Sequence, residues 1–164
     1  MIKGLYEIHL QVSDLTRSMQ FYQKLGLQLA LQEGHTAFLW IVPRQSWIGL
    51  WQAEIPQFAT KHLAFQIDYA DMKHAFTWLQ QLGITPVRHK EFEPIEPVAR
   101  PRQANCSVYF NDPDNNLLEL ICNLPAAPRD LPMMYLSEWE NWRRRELDLC
   151  PEKIKNLNIV EKKA

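Results

Sequence analysis

Carboxylate and imidazole side chains bind divalent metal ions and move protons, and in this chain they recur at matched positions. The stretch Glu7-Ile8-His9-Leu10-Gln11-Val12 lies over His62-Leu63-Ala64-Phe65-Gln66-Ile67 at a constant offset of 55 residues. The repeat makes Glu7 and His62 equivalent. Glu119 stands alone among Leu117, Leu118, Leu120 and Ile121 on a later strand-like run. A carboxylate in so apolar a run needs a partner, because an unpaired charge is costly to bury. Glu7, His62 and Glu119 are therefore candidate ligands of one divalent metal ion. One imidazole with two carboxylates is a hard, oxygen-rich set, suited to Mn²⁺, Fe²⁺ or Mg²⁺ more than to a structural zinc, with Ni²⁺ and catalytic Zn²⁺ as further candidates. Such a set leaves coordination positions open for substrate.

His9 lies two residues beyond Glu7 on the same strand face, so the two side chains start about 6.6 Å apart. Either is a possible first ligand. Glu7 is favoured because the repeat sets it opposite His62. His9 is then the candidate general acid or base, histidine being the residue type that exchanges protons near neutrality.

The elements that must position these groups follow from periodicity. Tyr6, Ile8, Leu10 and Val12 alternate with Glu7, His9 and Gln11, a strand with one dry and one polar face. Asp14 is a good N-cap for a helix with Leu15, Met19, Tyr22 and Leu25 on one stripe and Gly26 at its end. Three short runs follow, residues 27–32, 36–42 and 47–52. The second copy repeats this order: a strand over 62–68, a helix from about Asp71 ending at Gly83, and strands over 85–88, 107–111 and 117–122. The stretch from Lys90 to Asn105 is interrupted by prolines and is expected to hold no regular element, a candidate lid or disordered loop. Pro125, Pro128 and Pro132 mark a linker, after which Ser137 and Glu140 predict a capping box for a short helix carrying Trp139 and Trp142.

The expected fold is α+β: two βαβββ modules, residues 4–52 and 60–123, curving a mixed sheet around a central cavity. Residues 1–123 form that domain, and 124–164 are a C-terminal extension with one short helix. Polar strand faces would line the cavity. That gives Gln11 and Gln66 as candidate substrate contacts, with Trp47 and Trp51 as an aromatic wall near Phe38 or Trp40. Arg100 and Arg102, on the long loop, are candidates for an anionic group. The Trp pair of the extension would be exposed unless it docks on a partner subunit.

The chain has 164 residues, 46% hydrophobic and 23% charged, with a net charge of −1. That balance gives no footprint for nucleic acid or an anionic membrane surface, so a small-molecule substrate is expected. The apolar core of a signal peptide is missing, and Cys106, Cys122 and Cys150 show no disulfide or zinc spacing. A cytoplasmic protein with free thiols is the expectation.

Gly4-Leu5 through Val12-Ser13-Asp14-Leu15, Phe21-Tyr22, His62-Leu63-Ala64-Phe65 and Phe110-Asn111-Asp112-Pro113-Asp114, closing on Leu118-Glu119-Leu120, together carry a resemblance over residues 4–122. The chain resembles the vicinal oxygen chelate superfamily, which includes glyoxalase I, fosfomycin-resistance thiol transferases, extradiol dioxygenases and bleomycin-binding proteins. The resemblance implies metal ligands at Glu7, His62 and Glu119, a homodimer, and Lewis-acid catalysis by a lyase, isomerase or thiol transferase. Aligning Pro43 with Pro113 puts Gly49 in the slot where glyoxalase I carries a metal-binding carboxylate, which points away from that reaction. Trp47 matches a pocket-lining tryptophan of the fosfomycin enzymes, and Arg129 is the one counterpart of their C-terminal basic contacts. The alternative the resemblance implies is a metal-free shell of the bleomycin-binding type, holding an aromatic molecule against Trp47 and Trp51.

Overall fold

The computed structural model describes residues 4–54 and 60–149. The first module runs β1 (Glu7–Val12), α1 (Leu15–Lys24), β2 (Gln28–Glu33), β3 (Thr36–Val42) and β4 (Ser46–Gln52). Strand β1 is split by its alternation: Leu10 and Val12 are buried, whereas Glu7, His9 and Gln11 are exposed. Asp14 caps α1, its carboxylate accepting the Arg17 N–H at 3.0 Å. Gly26, at φ +92°, turns the chain out of α1 while the Leu27 N–H returns to the Tyr22 carbonyl at 3.2 Å. Gly83 does the same after the second helix, so both Leu-Gly signals are left-handed helix stops.

The second module comprises β5 (His62–Gln66), α2 (Tyr69–Gln81), β6 (Val98–Arg100), β7 (Asn105–Asn111) and β8 (Leu117–Asn123). The strand orders are β1-β4-β3-β2 and β5-β8-β7-β6, with the first pair of each parallel and the others antiparallel. The mixed α+β architecture and the repeated topology are those expected from the sequence. Helices cover the apolar face of each sheet, and one core joins Leu10, Tyr22 and Ile48 to Met72, Phe110 and Leu118.

The β7–β8 turn latches the modules together. The Asp114 carboxylate accepts the Ser13 N–H at 3.1 Å, the Ser13 hydroxyl, the Arg17 guanidinium at 3.0 Å and the Ser18 hydroxyl at 3.1 Å. Asp112 accepts the Tyr22 hydroxyl at 2.8 Å. Asn116 takes the Lys61 N–H at 2.7 Å, which sets the start of β5 beside β8. Burial and the two aspartates push the Tyr22 hydroxyl far above its ordinary range, so it stays a donor.

Several expectations for the second half are corrected. Residues 85–88 make one bridge, Pro86 to Phe110, with the Val87 N–H on the Tyr109 carbonyl at 2.8 Å. The strand in this position is β6, inside the stretch expected to lack regular elements. It is only three residues long because Pro97 and Pro101 bracket it, yet Val98 and Ala99 are apolar enough to be buried against β7.

The long loop is also tied down at several points. His89 and Phe92 close a tight hairpin, the Tyr135 hydroxyl accepts the Glu93 N–H at 3.2 Å, and Glu96 receives the Ser137 N–H and hydroxyl at 3.1 and 2.9 Å.

The extension is part of the same body. Strand β9 (Met134–Tyr135) pairs with β6 and covers the sheet edge, and α3 (Leu136–Leu149) follows at once. Trp139 is 1% exposed and Trp142 packs at the edge of the same core, so this pair needs no partner subunit to cover it. The cap differs as well: Glu138 accepts the Tyr135 N–H at 2.9 Å, while Glu140 takes the Tyr69 hydroxyl at 2.8 Å. Cys150 lies outside the described residues. Among those described, no helix is long and apolar enough to cross a membrane.

Candidate metal centre

Strand alternation and parallel pairing bring His62 and Glu119 together. Leu118, Leu120 and Cys122 of β8 turn to the core, which leaves Glu119 on the opposite face with β5 on one side and β7 on the other. His62 Nε2 lies 3.8 Å from Glu119 Oε2, the imidazole half exposed and the carboxylate 5% exposed. Arg100 approaches the same oxygen at 3.5 Å. That guanidinium is otherwise held by neutral oxygens: Asn105 Oδ1 at 2.8 Å, Tyr109 OH at 2.6 Å and Ser107 Oγ at 2.6 Å.

Burial pushes the Tyr109 hydroxyl up to about 12; Arg100 opposes that shift and Glu119 adds to it. The phenol therefore accepts from Arg100 and keeps its own proton near neutrality. His89 stacks on the Tyr109 ring, with centroids 4.0 Å apart and planes 5° from parallel.

The other pair sits on β1. His9 Nε2 donates to Glu7 Oε1 at 2.7 Å, so the two residues weighed as rival ligands form one dyad. The imidazole lies over Gly49, its β4 partner, where a β-carbon would come within 2.7 Å of His9 Cδ2 and 3.1 Å of Phe38 Cε1. The slot that would hold a carboxylate is filled by His9 itself. Trp40 and Trp47 stack at 4.6 Å, Phe38 lies 5.1 Å from Trp47, and Trp51 lies 5.2 Å from His9. These rings cluster beside His9, with Trp47 Nε1 buried and without an acceptor among the described residues.

The remaining candidates separate. Gln11 is exposed beside Trp51. Gln66 lines a cavity of about 470 Å³ walled by Leu25, Leu27, Phe65 and Trp78, which neither His62 nor Glu119 lines. Arg102 pairs with Asp130 at 2.8 Å, and Arg129 comes 4.0 Å from Glu146 of α3. Among the described residues no three His, Cys, Asp or Glu side chains converge in one chain. The three expected ligands are thus two pairs on two sheets, Glu7–His9 and His62–Glu119.

Ser107, Tyr109 and His89 escaped sequence reasoning. The alternation of β7 carried a signal for the first two: Cys106, Val108 and Phe110 turn to the core, which leaves 105, 107 and 109 beside Glu119. His89 carried none, because its place depends on the hairpin. The donor set nonetheless fits a divalent ion. Glu119 is a buried carboxylate whose nearest N–H donor stands at 3.5 Å, and an imidazole nitrogen faces the same oxygen.

Comparison with known proteins decides the family. Residues 4–120 match the Glyoxalase/Bleomycin resistance protein/Dioxygenase superfamily. The chain belongs to that superfamily. Among its members, a metallothiol transferase FosB of Staphylococcus epidermidis is 32% identical over 127 residues, spanning 73% of this chain and 81% of the relative. A metallothiol transferase FosB of Staphylococcus saprophyticus is 24% identical over 155 residues, 85% of this chain and 93% of the relative. Among solved glyoxalase-superfamily structures, the fosfomycin resistance protein FosX of Mesorhizobium loti is 28% identical, with a TM-score of 0.53 over 75% of this chain and 94% of that one. The two FosB relatives are named as metallothiol transferases, which agrees with the expectation of a metal-dependent enzyme.

Proposed function

We propose that the protein is a divalent-metal-dependent transferase of the fosfomycin-resistance type, which adds a small thiol to an oxygen-bearing substrate. The observation that carries this is Glu119, a buried carboxylate faced by His62, which would supply half of a metal site. The other half would come from a second copy of the chain, whose Glu7 offers the oxygen not engaged by His9. A site shared in this way explains why two pairs of ligands sit on separate open faces of one subunit, and a two-fold dimer would form two such sites.

The bound ion supplies Lewis-acid polarisation of a chelating substrate oxygen. His9, oriented by Glu7, is placed to take the proton of the incoming thiol. As the carbon–sulfur bond forms and the carbon–oxygen bond breaks, the released oxygen gains a proton, and Tyr109 holds one at the face of Glu119. The Trp40–Trp47–Phe38 wall suits an apolar part of the substrate. Cys106 and Cys122 are free thiols with sulfurs 3.3 Å apart, which fits work in a reducing compartment such as the cytoplasm.

Metal analysis of protein purified without chelator tests this reading. Stoichiometric metal is expected in the parent and loss in Glu7→Ala, His62→Ala and Glu119→Ala. A shared site makes one further demand: mixing Glu7→Ala with His62→Ala chains restores metal to about one quarter of the sites, because each hybrid dimer has one intact centre. No restoration would overturn the shared site, and parent protein that takes up no metal would overturn the enzyme reading.

A further inference from the structure

Cys106 and Cys122 face each other across the β7–β8 ladder, and their sulfurs lie 3.3 Å apart. Both are free thiols, 0% and 3% exposed. Residues opposed in an antiparallel pair hold their α-carbons about 4.5 or 5.5 Å apart, and a disulfide usually spans roughly 4.4–6.8 Å. No backbone movement is needed to join them. The pair is the last rung but one of the ladder, beside Asn105 and Asn123, and the ends of elements open more readily than their centres. A small reagent therefore has a route to it.

The two sulfurs are not equivalent. An S–H donated from Cys106 to Cys122 holds the Cys122 thiol below its ordinary range, against the opposing effect of burial, while the same bond and burial push the Cys106 thiol up. The proton stays on Cys106, and thiolate character falls to Cys122. Cys122 also keeps the residual exposure, and the exposed Asn123 follows it at the end of β8. Cys106 is closed in beside Tyr69, whose hydroxyl donates to Glu140 of α3 at 2.8 Å. Attacking sulfur and resolving sulfur are thus set by position.

We infer that Cys106 and Cys122 are a reversible modification site, a dithiol that hydrogen peroxide converts to a cross-strand disulfide. The Cys122 sulfur attacks one peroxide oxygen, the O–O bond breaks, and the departing hydroxide takes up a proton as water, leaving Cys122 as a sulfenic acid. The Cys106 sulfur then attacks that of Cys122; the S–O bond breaks, a second water leaves with the Cys106 proton, and the S–S bond forms. Two thiols lose two electrons and two protons, and peroxide is reduced to two waters. A dithiol reductant reverses the change by exchange. Ser107, Tyr109 and Glu119 lie on the opposite face of the same two strands, so the bridge ties those strands together and uses no candidate metal ligand.

Hydrogen peroxide treatment of the full folded chain carrying Cys150→Ser tests the site, that substitution removing the third thiol. After quenching, unfolding and alkylation, both remaining thiols should be lost together, a Cys106–Cys122 linked peptide should be found by mass spectrometry, and dithiothreitol should restore both. Intact thiols, or sulfinic and sulfonic acids in place of the linked peptide, would overturn the site. The order of attack is read with dimedone, which traps sulfenic acids. Adding Cys106→Ser should leave Cys122 trapped, and adding Cys122→Ser should leave Cys106 a thiol; the reverse pattern would overturn the roles assigned to the two sulfurs. The linked protein should unfold at a higher urea concentration than the dithiol form, because the bridge restrains the unfolded chain. A lower midpoint would mean that the backbone must move to form the bond, and so that the pair is not set for it.

Discussion

The imidazole of His9 occupies the space above Gly49, so close that a single added carbon on the glycine would stand 2.7 Å from Cδ2. In the same position the ring reaches Glu7 at 2.7 Å. A residue with no side chain on β4 therefore makes room for an imidazole on β1. Absence of a carboxylate at position 49 is the condition for this dyad.

Gly49→Ala should fold but with the His9 ring displaced and the bond to Glu7 lost. Overpacking at such contacts costs about 1–3 kcal/mol. The cost should shrink in a His9→Ala background, because the clash partner is gone. Urea unfolding of the two single variants and the double variant measures this; strictly additive effects would show that the contact is not felt.

Arg100→Met removes the cation nearest Glu119 and three bonds to neutral oxygens. Leaving a buried carboxylate without its counter-charge typically costs about 3–5 kcal/mol. Mn²⁺ should recover part of that loss, since an ion that binds only the folded state stabilises it. Thermal melts with and without Mn²⁺ check this, and a variant stabilised no more than Glu119→Gln would contradict a metal site at Glu119.

Asp114 and Arg17 form an ion pair at 3.0 Å, yet the two ends should differ sharply on substitution. Asp114 is nearly buried and also serves Ser13 and Ser18, so Asp114→Ala should cost about 2–4 kcal/mol. Arg17 is half exposed, so Arg17→Met should cost about 0–1 kcal/mol. Equal losses in denaturant titrations would mean that the ion pair, and not the buried network, holds the modules together.

The pH dependence of stability should carry a signature of His89. Its imidazole is held below the ordinary value of 6.5, so the unfolded chain binds the proton more readily. The neutral folded form is favoured above that value, and stability is lost as pH falls through it. His89→Phe keeps a ring on Tyr109 and should flatten the loss of stability as pH falls below 6.5. An unchanged slope in that window would assign the acid sensitivity to other groups.

Much of the architecture is readable in the chain because it is periodic. Two-residue alternation in β1, β5 and β8, the stripes of α1 and α2, and their glycine stops each depend on neighbours only a few residues away. Strands β6 and β9 were not readable, since elements of three and two residues are too short to show a period. Trp139 looked exposed because its burial depends on Tyr69 and the β6 edge, more than thirty residues away in sequence. The long loop looked free because its anchors, Tyr135 and Ser137, lie in the extension.

The candidate site divides the same way. Residue type sufficed to single out Glu7, His9, His62 and Glu119, since the first three lie on the polar faces of β1 and β5 and Glu119 is a lone carboxylate in an apolar run, where burial punishes an unpartnered charge. Only the tertiary structure decided how they group. Distances across parallel strands pair His62 with Glu119, the space above Gly49 pairs His9 with Glu7, and the β6 edge brings Arg100 onto Ser107, Tyr109 and Glu119. Such contacts join residues by strand order and register, and no local pattern of amino acids encodes either.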